Sequence, residues 1–298
     1  MVQKRLILAF FILLIVSNRC DLFQTRAVHA VWDVSLQDSS NKFDNVSADD
    51  QNYGKSPKYW SEWPILPSDV SKRMKDIYQR GIQQGNDPHA FSVIGDCQSN
   101  PQIFLGMFDS EGDPLKEKYR NLMDTIQNFH GSFSRMSVTV RDGQSVASVL
   151  SPEWADPEQC NEDESAIACE FRLHKPSIVF INLGTNWNSG NEITHAAYLR
   201  EIVDFVLDQG AVPILSSKGD NQEGGHRINR ATAEVANQYG VPFWNFWRSL
   251  HDLPGKGIDD TRPGGYLTAD GWTRHSISGL QALDAVWKAL SGQWNQDS

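Results

Sequence analysis

The chain has 298 residues, 40% of them apolar and 21% charged, which is enough for one large α/β domain or two small ones. Its formal net charge is −10. With no basic stripe in it, such a chain repels nucleic acid and anionic membrane surfaces, and a neutral or cationic partner or a small molecule suits it better.

Residues 1–30 carry the pattern of a secretory signal peptide: Lys4 and Arg5 precede an apolar run from Leu6 to Val16, and Val28-His29-Ala30 offers a small-residue cleavage site. The run is too short to span a bilayer, and Arg19 before Cys20 argues against a lipoprotein site. The expectation is a secreted or periplasmic protein with no membrane insertion after signal cleavage. The mature chain keeps Cys97, Cys160 and Cys169. In an oxidising compartment Cys160 and Cys169 can close a short loop, contributing about 2–3 kcal/mol. That leaves Cys97 as the odd thiol, unless it pairs with one of those two.

Residues 31–58 are rich in Asp, Ser and Asn and read as a disordered or extended leader; Asn45-Val46-Ser47 matches a glycosylation sequon. Tyr59, Trp60 and Trp63 mark the start of packed structure, a single domain over 59–292 followed by a tail at 293–298. Pro67-Ser68-Asp69-Val70 opens a helix with Met74, Ile77, Tyr78 and Ile82 at helical spacing. Phe91–Ile94 is a short strand running into Gly95-Asp96-Cys97 at the start of a helix. A helix over roughly Lys116–Phe129 follows, and Arg135–Val140 alternates as a strand. After Asp142–Ala147 comes an irregular Ser/Pro/Trp segment that holds the two loop cysteines. Pro176–Leu183 is a buried-type strand ending at Gly184-Thr185-Asn186. Helix Glu192–Gln209, strand Val212–Ser216, the polar loop Lys218–Gly225, helix His226–Tyr239, strand Val241–Phe246 and helix Leu280–Leu290 complete the order.

Short strands alternating with helices of ten or more residues indicate a parallel sheet with helices on both faces. Ligands bind beyond the carboxyl ends of such strands, so Cys97, Gly143, Asn186 and Lys218–Gly225 should share one edge. Acyl transfer needs a nucleophile, a base and oxyanion donors. Cys97 stands in the nucleophile position, Gly143 can bring a backbone N–H close, and Asn186 offers an amide. His275, in the polar loop before the last helix, is the candidate base, with Asp270 to orient it. Asp220 reads as a loop-ordering carboxylate, His226 and His251 as structural. Trp187 and Trp272 stand in edge loops where a sugar ring could stack. The chain has no Gly-x-Ser-x-Gly, Gly-x-Gly-x-x-Gly, P-loop or His-Glu-x-x-His motif, and no clustered metal ligands.

These blocks resemble the SGNH (GDSL-type) hydrolase family. Gly95-Asp96-Cys97 is similar to its first block, with cysteine where most members have serine. Gly143 is similar to the second-block glycine, Gly184-Thr185-Asn186 to the third block, and Asp270…His275 stands roughly where the last block, Asp-x-x-His, belongs. The resemblance covers about residues 88–291. It implies a flavodoxin-like three-layer α/β/α sandwich with a central parallel sheet, hydrolysis of an ester or O-acyl bond through Cys97, His275 and Asp270, an oxyanion site at Gly143 and Asn186, no cofactor, and a small-molecule ester or acylated carbohydrate as substrate. Asp270 and His275 are five apart where the family has three. A second alignment lays the last block over Gly264-Gly265-Tyr266-Leu267, which holds neither aspartate nor histidine. Under it the chain is a catalytically inactive relative that binds an acyl or carbohydrate ligand in the same cleft.

Overall fold

Strands form where the sequence can be covered on both faces. β1 (Asp87–Gly95), β2 (Pro176–Asn182), β3 (Val212–Ser216) and β4 (Phe243–Trp244) pair in that order and all in parallel in the computed structural model. The apolar residues of β2 and β3 are all buried, as near-continuous Val/Ile/Leu/Phe runs in a parallel sheet should be. Parallel neighbours need crossovers, and helices supply them. The helices are α1 (Lys72–Gln83), α2 (Met123–Asn128), α3 (Ala166–His174), α4 (Glu192–Asp208), α5 (Arg227–Tyr239), α6 (Phe246–Ser249) and α7 (Ala269–Ser291).

The structure describes residues 56–110, 119–187 and 191–292. The signal peptide, nearly all of the leader and the tail at 293–298 lie outside the described residues.

Successive strand side chains point to opposite faces, which sorts the helices into two layers. On one face Phe91, Phe180 and Trp244 meet Phe104 and Phe129, and Phe129 meets Trp287 of α7, with α1 packed beside α7. On the other, Ser92 Oγ donates to Glu170 Oε1 of α3 at 2.5 Å, Phe171 and Phe205 join α3 to α4, and α4 packs on α5. The three-layer α/β/α arrangement with a parallel sheet is as the sequence implies. Trp60 and Trp63 are buried, and Asn245 Nδ2 donates to their carbonyls at 2.9 and 3.2 Å.

Several elements differ from the sequence reading, the helix expected over Lys116–Phe129 among them: in its described part, Arg120–Leu122 is a 3-10 turn and only Met123–Asn128 is α-helical. Arg135–Val140 is not a strand: only Val140 bridges Gly95. Hydroxyls replace the ladder, Ser137 Oγ accepting from Val93 N at 3.2 Å and Thr139 Oγ1 donating to Val93 O at 2.7 Å. The irregular cysteine segment contains α3, started by Ser165, whose side chain accepts from Ala168 N. The last helix begins eleven residues earlier than Leu280, at Ala269, capped by Thr268 Oγ1, which accepts from Gly271 N at 3.1 Å.

Candidate ligand cleft at the carboxyl edge of the sheet

The ends of β1, β2 and β3 deliver Gly95-Asp96-Cys97, Gly184-Thr185-Asn186 and Ser217–Gly225 to one edge of the sheet. The corner after β1 is a single 3-10 turn, Cys97–Ser99, rather than the start of a long helix; Asp96 caps it by accepting from Gln98 N at 2.9 Å. Cys97 is disulfide-bonded. Cys160 and Cys169 are bonded to each other with Cα atoms 5.3 Å apart, as the sequence suggests, so neither is its partner. No described cysteine is a free thiol. The partner of Cys97 lies outside the described residues, and while bonded its sulfur lacks the thiolate that nucleophilic attack requires. Ser99 is no substitute: it is buried, and its Oγ turns back over Gly95, where a Cβ would collide with it.

Asn186 reaches the residue after Gly143. Asn186 Nδ2 donates to Gln144 O at 3.2 Å, which ties the end of β2 to the Gly143 loop. Gly143 is exposed and has φ +79°, a left-handed backbone that glycine adopts without strain.

The base and its orienting acid do not come together. Both lie on α7, five residues apart, which puts them about 140° apart around a helix of 3.6 residues per turn. Asp270 is exposed in the first turn. His275 is buried, with Phe104, Trp244 and Phe246 ring centroids at 4.3, 5.3 and 4.4 Å. Its Nδ1 makes no hydrogen bond, and burial among these rings pulls its pKa down to about 3. Burial there favours the neutral imidazole, and no hydrogen bond joins it to Asp270 among the described residues.

The loop that closes on the corner instead is Gly264–Tyr266. Gln98 Nε2 donates to Gly265 O at 3.4 Å, and a Cβ on Gly265 (φ +72°) would stand 2.6 Å from Asp220 Cβ. Asp259 N donates to Tyr266 O at 2.8 Å, and the Arg262 guanidinium lies 3.8 Å from the centre of the Tyr266 ring.

At the same edge lies a buried ion cluster, in the stretch that reads from the sequence as a polar loop. Lys218 Nζ lies 2.6 Å from Asp220 Oδ1 and 2.6 Å from Glu223 Oε2, all three side chains being buried. Thr185 Oγ1 donates to Asp220 Oδ2 at 3.1 Å, and Asn229 of α5 clamps the Lys218 backbone from both sides, at 2.8 and 3.0 Å. Asp220 is thus a loop-ordering carboxylate. Burial lifts the Asp96 carboxyl to about 7; the Asp220 charge adds to the rise, while the Gln98 N–H and Lys218 oppose it. His226, at φ +50°, packs between Trp60 and Trp247. The signal that could have found this cluster was the mixed charge of Lys218, Asp220 and Glu223 directly after a buried strand, because charges carried there must pair.

Among the described residues, the group with metal-ligand spacing is Cys160, Glu164 and Cys169, and its two sulfurs are already joined to each other.

No family model matches the chain, and no curated protein does. Among solved structures it is similar to a GDSL-like lipase of Bacteroides thetaiotaomicron, at 14% identity over 72% of this chain and 98% of that one, with a TM-score of 0.41. It is also similar to a protein assigned as a GDSL-like lipase in Parabacteroides merdae (10% identity, 70% and 98% covered, TM-score 0.43). A third is one assigned as an acylhydrolase in Bacteroides fragilis (14% identity, 80% and 98% covered, TM-score 0.41).

Proposed function

We propose that this chain is an extracytoplasmic protein of SGNH type that holds a small ester or acylated carbohydrate at the carboxyl edge of its sheet without turning it over. The observation that carries this reading is the position of His275, buried against Phe104, Trp244 and Phe246 with no bond to Asp270, while the Gly264–Tyr266 loop reaches the corner through the bond from Gln98 Nε2 to Gly265 O. A general base must reach the proton that it removes, and this imidazole faces aromatic rings. The Cys160–Cys169 disulfide suits an oxidising compartment, and no described helix is long and apolar enough to cross a membrane.

The rival is hydrolysis through Cys97, His275 and Asp270. What favours it is the meeting of Asn186 with the Gly143 loop, a donor arrangement that an oxyanion would use. Calorimetry with acetylated xylo-oligosaccharides, with acetate release followed by NMR in the same samples, separates the two. Binding without acetate release above that of the Cys97→Ala variant supports retention. Acetate release that disappears in Cys97→Ala overturns it.

A further inference from the structure

Trp154 stands at the rim of the Gly143 loop. It ends a one-turn 3-10 helix, Pro152–Trp154, whose start is held by Ser151 Oγ accepting from Glu153 N at 3.3 Å. The residue is 36% exposed, although tryptophan is a side chain whose burial contributes heavily to a core. A Cβ on Gly143 would lie 3.7 Å from Trp154 Cη2, so the loop backbone runs along the edge of the six-membered ring. Arg141 Nη1 donates to Trp154 O at 3.1 Å, and the guanidinium carbon stands 5.7 Å from the ring centre. The neighbours Asp142 and Glu153 are exposed carboxylates. The Gly143 N–H donates to no group among the described residues. The bond from Asn186 Nδ2 to Gln144 O fastens this lip to the end of β2 and hence to the cleft.

An exposed aromatic ring beside fixed donors and acceptors is complementary to a sugar: the C–H face of a pyranose stacks on the ring while its hydroxyls take the polar groups. The carboxylates, in a chain of net charge −10, select against uronates and other anionic sugars. Arg141 already holds a cationic group near the indole, which leaves less for a cationic ligand to gain there.

We infer that Trp154 is the stacking platform of a subsite for a neutral pyranose at the mouth of the cleft, with Arg141, Asp142 and the Gly143 N–H meeting the ring hydroxyls. The inference rests on the cleft being a ligand site and names the class of ligand that it takes.

The test is calorimetry of the full-length secreted protein against xylohexaose, cellohexaose and chitohexaose, with a galacturonate hexamer and choline as the anionic and cationic probes. At least one neutral hexamer binds; Trp154→Ala raises its Kd tenfold or more, and Trp154→Phe stays within about threefold, because a smaller ring still stacks. Near-ultraviolet circular dichroism checks that the variants fold. Failure of every neutral hexamer to bind, an unchanged Kd in Trp154→Ala, or preference for galacturonate or choline overturns the subsite. Hydrolysis of an acetylated hexamer through Cys97 would instead overturn the non-hydrolytic reading and leave the Trp154 result standing on its own.

Discussion

Asp220 lies against the α-carbon of Gly265. A Cβ added there would stand 2.6 Å from Asp220 Cβ and 2.9 Å from Gln222 Nε2, at a backbone φ of +72°. Strain and steric conflict therefore act at one position, and Gly265→Ala should lower stability by about 1–3 kcal/mol. Urea unfolding measures this. An unchanged midpoint would mean that the loop does not seat on the ion cluster.

The ion cluster gives a second expectation. Lys218→Met leaves Asp220 and Glu223 buried without their cation, and breaking a buried pair in this way costs about 3–5 kcal/mol. Urea unfolding in the wild-type and Asp220→Asn backgrounds checks both size and cause, since the loss should be smaller where one of the two carboxylates is already gone. Equal losses in both backgrounds would contradict the electrostatic origin.

Buried His275 sets a pH dependence with a definite sign. Its folded pKa, about 3, lies below the ordinary histidine value of 6.5, so the neutral ring is favoured in the fold. The stability is fully present above pH 6.5 and is lost as pH falls from there towards 3. His195, pulled down to about 4 by burial and by Lys218, acts in the same direction. His275→Phe should flatten the acid limb of a stability–pH curve by about 1 kcal/mol per pH unit between 6 and 4. An acid limb identical to the wild type's would show that His275 is not held neutral.

Asp96 works the other way. Its carboxyl is raised from 3.8 to about 7, so the fold favours its neutral form, and its contribution is complete below pH 3.8 and lost as pH rises to about 7. Asp96→Asn keeps an oxygen for the Gln98 N–H and removes the charge. The variant should gain a few kcal/mol over wild type at pH 8 and almost nothing at pH 4. Thermal unfolding at the two pH values measures the difference; a gain at pH 4 as large as at pH 8 would contradict it.

What the sequence made legible follows from which residues face water. β2 and β3 are apolar on both faces and bounded by Pro176 and by Gly184 or Ser217, so their positions can be read nearly to the residue. Helix α4 is equally plain, with Asn191 as its cap. The start of α7 is hidden because Gly271, Thr273, Arg274, His275 and Ser276 look like a polar loop, although Thr268 is a good cap and His275 and Ser276 are both buried. That polar pattern is what makes His275 a candidate base. The alternation of Arg135–Val140 was real, but its Ser137 and Thr139 hydroxyls bond to β1 in place of a ladder. The Cys160–Cys169 bond is readable from spacing, whereas the partner of Cys97 lies outside the described residues.

The most direct measurement of whether this cleft runs acyl-enzyme chemistry is mass spectrometry of the protein after incubation with p-nitrophenyl acetate, followed by peptide mapping. The enclosure of His275 by Phe104, Trp244 and Phe246 predicts no acetyl group on residue 97. An acetyl adduct mapped to Cys97, formed by the wild type and absent from His275→Phe, would contradict the account.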